Sequence, residues 1–284
     1  MVSHIKNLAL TSVSTLMLFS IQTIKAEKLN LGMVRGSTSK MIKRFGPFLQ
    51  YLNTKGIPAG KVVVTKDLPK MVKKFEKNKV HFMFESPMGA LEMMDKAKAY
   101  PLLIREKKGV KEYNSVIFVK KNSSISSLKD LVGKVVAFED PTSTSSFFLP
   151  KGILRRAGLE IIESKKPVPG KVAYYFSKAD DNTLAQVKVG KKADAGGIKA
   201  TKVLENSNFK VLQPASPFVP RHVLLISKDV SMEMREKIKK VLLEMKNDPS
   251  TKSILKTMKN PTGFSEFEGD PVKIMTTDVR KAIN

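Results

Sequence analysis

Val135-Val136-Ala137-Phe138-Glu139-Asp140-Pro141-Thr142-Ser143-Thr144-Ser145-Ser146-Phe147-Phe148-Leu149-Pro150 reads as a buried strand, a break and the opening of a helix. The apolar residues 135–138 make the strand. Asp140-Pro141 ends it, because the residue before a proline is pushed out of the helical region. Downstream, Ile153, Leu154, Ala157 and Gly158 recur at helical spacing. Ser143, Thr144 and Ser145 therefore fall where a strand turns into a helix. A helix N-terminus carries N–H groups without intrahelical partners and about half a positive charge. Hydroxyls clustered there add donors that rotate to fit, and the whole makes a seat for a tetrahedral oxyanion without a cation. One Ser or Thr in this place is ordinary capping. Five consecutive hydroxyl residues, Thr142 to Ser146, exceed what a cap needs.

The same alternation extends both ways from this stretch. Upstream, apolar runs at 29–34, 61–64, 80–84, 101–104 and 115–119 read as strands, separated by amphipathic segments through Ile42, Phe45, Leu49 and Leu52, through 68–77, and through 88–98. Ser39 or Thr38 is expected to cap the first helix. Ser126 and Ser127 open a short capped helix ahead of the central stretch. Downstream come strands at 172–176, 193–197, 209–212 and 222–226, and a helix that opens at Asp180-Asp181-Asn182-Thr183 and ends at Gly190. Two further amphipathic helices, around 231–246 and 249–258, precede what reads as a polar tail. Strands alternating with helices over short links predict largely parallel sheets. In such sheets ligands bind at the carboxyl ends of strands, which puts Arg35 to Ser37 and Glu85 to Met88 at a binding edge.

The order of elements predicts an α/β fold of two lobes. One takes 27–112 and resumes at 222–284; the other is the inserted 113–221. The chain crosses near Tyr113-Asn114 and again in the proline-marked stretch 214–220, and two crossings make a hinge with a cleft between the lobes.

Residues 1–26 read as a cleaved secretory segment. It has a mildly basic start at His4 and Lys6, an apolar stretch interrupted by Ser and Thr, and a cleavage point after Ala26. The chain has no cysteine, so disulfides, thiol chemistry and a lipid anchor on a leading cysteine are excluded. A periplasmic protein without a lipid tether is expected. Of 284 residues, 51 are Lys or Arg and 26 are Asp or Glu, for a net charge of +25; loss of Lys6 and Lys25 takes it to +23. The lysines are spread over all helices, tryptophan is absent, and no nucleic-acid partner is expected. The surplus gives a positive field that speeds capture of small anions.

On these residues the chain resembles the periplasmic phosphate, phosphite and phosphonate-binding proteins of ABC importers, which have the type II two-lobed binding-protein fold. The resemblance runs nearly end to end. It is carried by Leu31-Gly32-Met33-Val34, Glu85-Ser86-Pro87, the run 113–119, the run 127–134, Asp181-Asn182-Thr183 and 190–197, and most specifically by Asp140-Pro141-Thr142-Ser143-Thr144-Ser145 with Phe148-Leu149-Pro150 behind it. It implies that Ser143, Thr144 and Ser145 hold phosphoryl oxygens. Three positions depart from the family pattern: Ser146 stands where a glycine is usual, Asp180 where phosphonate binders often carry a histidine, and His81 where an aspartate is usual. A carboxylate at 180 repels a dianion, but it can accept from a protonated oxyanion or meet an amine.

The reading is a non-enzymatic solute receptor that closes on a small oxyanion and hands it to a permease in the inner membrane, acting as a monomer. The candidate ligand-binding residues are Thr142, Ser143, Thr144, Ser145, Arg35, Glu85, Ser86, Asp180, Asp181 and Asn182. Glu85 can instead cap the helix beginning at Pro87. Asp194 is read as a support of the sheet, and His81 and His222 as strand-edge residues. No catalytic residue, cofactor or metal is expected, since no nucleophile–base pair, phosphate-cradling glycine loop or metal-ligand spacing occurs. The alternatives are a sensory receptor that docks on a signalling protein, and an exported hydrolase.

Overall fold

Strand and helix alternate from the first residue described. The computed structural model describes residues 28–284, so the expected secretory segment, 1–26, lies outside it. In chain order come β1 (Leu29–Val34), α1 (Thr38–Thr54), β2 (Ala59–Thr65), α2 (Leu68–Glu76), β3 (Phe82–Glu85), α3 (Pro87–Ala97) and β4 (Tyr100–Glu106). They are followed by β5 (Glu112–Tyr113), β6 (Ser115–Lys120), β7 (Val135–Phe138), α4 (Leu149–Arg156), β8 (Ile161–Glu163), β9 (Val172–Phe176), α5 (Asp180–Val189), β10 (Ala195–Lys199) and β11 (Phe209–Leu212). The chain closes with β12 (Val219–Pro220), β13 (His222–Ile226), α6 (Met232–Glu244), α7 (Lys252–Thr257), β14 (Gly263–Ser265), α8 (Pro271–Lys273) and α9 (Arg280–Ile283).

The strands form two six-stranded sheets, ordered β14-β4-β13-β3-β1-β2 and β11-β6-β10-β7-β9-β8, joined by the antiparallel pair β5–β12. In the first sheet β1, β2 and β3 pair in parallel, and β13 lies antiparallel between β3 and β4. Two antiparallel steps leave β4 pointing the same way as β3. The second sheet repeats this plan: β8, β9, β7 and β10 are parallel, and β6 lies antiparallel between β10 and β11. Each reversed strand, β6 and β13, is the one the chain enters straight after passing through the β5–β12 pair. A strand entered from the cleft side must run away from it, whereas strands reached through a crossover helix run toward it. The parallel strands of both sheets thus carry their carboxyl ends to one region.

Both faces of each sheet are covered. Phe45, Phe48 and Leu52 of α1 meet Ile238 and Leu242 of α6 on one face of the first sheet, and Met71, Phe75, Leu91 and Met94 cover the other. In the second sheet Ile153 and Leu154 of α4 cover one face and Val187 of α5 the other. A Cβ on Gly197 would lie 2.5 Å from both Phe138 and Pro150, so the small residues of β10 let α4 sit directly on the sheet. Asp194 accepts the Val135 N–H at 2.9 Å and ties β10 to β7, as expected of a sheet support.

The expected polar tail is instead helical and buried. α8, a π-helical turn (Ile274–Val279) and α9 run on continuously, with Met275, Val279 and Ala282 at most 1% exposed. Arg280 pairs with Asp95 of α3 at 2.8 Å, and Arg156 of α4 donates to the Ala282 carbonyl at 2.8 Å. The apolar positions 275, 279, 282 and 283 are few and flanked by charge, so they resemble a surface until two helices flank them.

Candidate functional site

The hydroxyl run follows β7, and its first turn is π-helical over Thr144–Phe148, with Ser146 off the helical geometry at φ −116°, ψ 16°. Such turns widen a helix and turn side chains outward. Ser143 is the N-cap: its Oγ accepts the Ser146 N–H at 3.1 Å and donates to Glu139 at 2.9 Å. Ser146 donates to Asp180 at 2.8 Å. Thr142 donates to Asp140 at 2.5 Å. Three of the five hydroxyl protons are thus committed to carboxylates of the same lobe. Ser145 is half-buried and touches only the Ser146 hydroxyl, at 3.4 Å, so its donor is the most available for an anion.

Thr144 lies at the seam between the sheets. It is 2% exposed, and its Oγ1 accepts the Met88 N–H at 3.0 Å. Met88 opens α3, whose own N-cap, Ser86, makes no side-chain capping bond. The cap of α3 therefore comes from the other sheet's lobe, and the Ser86 hydroxyl is left for other work. Beside it, Arg35 reaches across and donates to Thr142 Oγ1 at 2.8 Å. Arg35 sits at φ 64°, the left-handed region, which turns the chain sharply out of β1. Ser37, rather than Thr38 or Ser39, caps α1, accepting from the Lys40 N–H.

Glu85 Oε1 accepts the Ser86 N–H at 2.7 Å, so its helix-opening role is real. Burial raises its pKa against that hydrogen bond and the charges of Arg35 and Arg105. Arg35, Glu85, Ser86, Met88 and Thr142 line one cavity of about 380 Å³ that both sheets enclose. A larger one, about 630 Å³, is lined by Val135, Tyr175, Gln186 and Asp194 within the second lobe and contains no residue of the hydroxyl run. Of the acidic stretch, only Asp180 reaches the run. Asp181 is 89% exposed and pairs with Lys202 at 3.5 Å, while Asn182 donates to the Ser177 carbonyl at 2.9 Å, which holds α5 to β9.

Sequence reading missed a basic wall beside this cleft. Arg35, Arg44, Arg105, His222 and Lys259, with Glu85, line a second cavity of about 170 Å³. Arg105 stacks on Phe84 with 5.1 Å to the ring centre, and burial lowers its pKa to about 10 despite Glu85. Lys199 and Arg221 lie over the Tyr113 ring at 5.6 and 5.9 Å. His222 is the exposed first residue of β13, a strand edge as expected, and it also lines this wall; the protein packed around it and then Arg105, Lys259, Lys199 and Arg221 hold its pKa well below 6.5. His81 is a buried structural residue, its Nδ1 accepting the Asn30 N–H at 3.0 Å. The signal was position: Arg105 and Lys199 close parallel-facing strands, and His222 opens a reversed one, so all three meet at the binding edge. Among the described residues no group of three or more His, Asp or Glu is placed to hold a metal.

Relatives share this architecture. The solved structure of XAC2383 from Xanthomonas citri bound to ATP superposes with a TM-score of 0.77 at 23% identity, covering 89% of this chain and 96% of that one. PhnD1 from Prochlorococcus marinus, solved with methylphosphonate, does so at 0.63 with the same identity and coverage. The phosphonates-binding periplasmic protein of Escherichia coli is 24% identical over 265 residues, 89% of this chain and 78% of its own length. The sequence model of a family described as "ABC transporter, phosphonate, periplasmic substrate-binding protein" matches residues 33–270, most of both lobes. With the two-sheet cleft and the hydroxyl run inside that span, this chain belongs to the family of periplasmic substrate-binding proteins of ABC phosphonate transporters.

Proposed function

We propose that the chain captures a phosphonate, or a small oxyanion of the same shape, between its lobes and presents the closed form to an inner-membrane permease. One observation carries this reading: the hydroxyl run at the head of α4 is bonded to the opposite lobe twice, through Arg35 to Thr142 and through Met88 to Thr144. Closure thus brings the carboxyl-end edges of both sheets around one small volume, where a ligand that touches both favours the closed state. The Ser145 and Ser86 hydroxyls, with the backbone N–H groups beside them that the caps leave open, supply donors to the oxyanion. Arg35, Thr142 and Thr144 act as the latch, and Ser143 and Asp180 hold the run in shape.

The lobes are 27–112 with 222–284, and 113–221, hinged at β5–β12. The role is binding alone, as the family of binding proteins supports. The protein works as a monomer, freed of residues 1–26 and without a lipid tether. The Escherichia coli relative and the Prochlorococcus marinus protein are phosphonate binders by name and by bound ligand, which supports the ligand class. Nothing favours the signalling alternative.

Calorimetric titration with methylphosphonate and with inorganic phosphate tests the ligand class, and small-angle scattering tests closure. Saturable binding with a smaller radius of gyration is expected. Absence of binding to either anion overturns the reading, and binding at constant radius overturns the closure mechanism.

A further inference from the structure

The charges around the cleft are unequally used. Four carboxylates near the hydroxyl run accept hydrogen bonds from neutral donors. Glu139 accepts from Ser143, Asp180 from Ser146, Asp140 from Thr142 and Glu85 from the Ser86 N–H. Asp180 also faces Lys202 at 3.5 Å. Around the 170 Å³ cavity four cations, Arg35, Arg44, Arg105 and Lys259, face one carboxylate, Glu85.

The cations opposite are the reverse case. Among the described residues Arg44, Arg105 and Lys259 have no hydrogen-bond acceptor, though they line the 170 Å³ cavity together with His222. The Arg221 Nε is buried and unbonded. Arg105 is the most telling of them. It sits low on β4, its only ring contact is Phe84, and the nearby Glu85 has its Oε1 turned to Ser86. Arg105 is half-buried, and its guanidinium lines the cavity without a protein hydrogen bond, placed to pair with an anion. The second cavity exceeds what a carboxylate needs and is too small for a nucleotide.

We propose that the ligand is a phosphonate whose organic part carries a second negative charge, a carboxylate, which this basic wall receives, and that aminoalkyl phosphonates are disfavoured. The proposal rests on the reading that the cleft binds phosphonates. Arg105 and Lys259 are then specificity residues: they read the substituent, while Ser145 and the helix termini hold the phosphonyl group.

The test titrates the chain with phosphonoacetate, methylphosphonate and 2-aminoethylphosphonate, and repeats it for Arg105→Gln, Lys259→Gln and, as a control for the overall field, Lys121→Gln in the exposed turn after β6. Phosphonoacetate should bind at least about tenfold more tightly than 2-aminoethylphosphonate. Arg105→Gln should cost phosphonoacetate about tenfold or more and methylphosphonate less than about threefold. Lys259, exposed in a loop, gives the same split with no risk to folding, and Lys121→Gln should change neither. Equal or tighter binding of 2-aminoethylphosphonate overturns the proposal, as does an equal loss for both probes in both variants, which would assign the wall to the phosphonyl group itself. If none of the three phosphonates binds, the proposed function falls too; if methylphosphonate binds and no preference is seen, only this inference falls.

Discussion

The Oγ1 of Thr144 accepts the backbone N–H of Met88 at 3.0 Å, so a hydroxyl of one lobe caps the helix of the other. Thr144→Val keeps the shape and removes the acceptor, leaving a helix-terminal N–H without its partner. Because Thr144 is 2% exposed, the loss is felt before any ligand arrives, at about 1–2 kcal/mol of stability in the closed form. Ligand affinity should fall with it by about tenfold, and Thr144→Ser should restore both. Melting curves and calorimetric titration of the two variants check this. A valine variant that binds normally would show that the bond is not part of closure.

Arg35 links the lobes from a strained position. Arg35→Gly removes the bond to Thr142 but suits φ 64°, relieving about 1 kcal/mol of backbone strain. The extra freedom of glycine in the unfolded chain costs about as much, so the melting point should hardly move. Affinity should drop about threefold to tenfold, because one half of the latch is lost. A fall in melting point with intact affinity would make Arg35 a fold residue.

Glu85 separates two roles. If it contacts the ligand, Glu85→Gln weakens binding. The geometry favours the opposite outcome: the amide oxygen still accepts from Ser86, and one negative charge leaves the side of Arg35 and Arg105. Anion affinity should rise, by about threefold to tenfold. Titration of the variant with methylphosphonate reads the sign directly.

His222 sets a pH dependence. His222 is exposed at the start of β13, yet the surrounding protein and the charges of Arg105, Lys259, Lys199 and Arg221 hold its folded pKa well below 6.5, with Glu85 the carboxylate lining the same cavity. Below about pH 6.5 the unfolded chain takes up a proton at this site and the folded one does not, so stability falls as pH falls. His222→Gln removes that term. Between about pH 7.5 and about pH 5.5 the parent should lose melting temperature faster than the variant. Parallel curves would show that His222 contributes nothing to the acid limb.

The net charge of +23 expected after loss of residues 1–26 bears on rates rather than on the closed geometry. Stopped-flow association with methylphosphonate should slow as salt rises from about 50 to about 300 mM while dissociation stays nearly constant. Salt-independent association would leave the dispersed lysines as surface only.

What the sequence by itself determined is local. Proline after Asp140 stops β7, the periodicity through Ile153 and Leu154 starts α4, and hydroxyl residues between them must stand at a helix N-terminus. These follow from backbone sterics and from side-chain repeats a few residues long, and every chain with that stretch would show them. Breaks in the alternation near 113 and 214–220 were legible for the same reason. Tertiary structure decided which groups in the run are free. The Ser143 proton goes to Glu139, while Thr144 Oγ1 accepts from a helix 56 residues upstream, so the Thr144 and Ser145 hydroxyls keep their donors. It also picked Arg105, His222 and Lys259 out of a chain with 51 Lys and Arg, because the strand order carries their ends to one edge. The same cause turned the apparent tail at 271–283 into packing between α3 and α4. Local rules fix what a segment can form; which side chains meet is set by the pairing of distant strands, a long-range choice that no short repeat encodes.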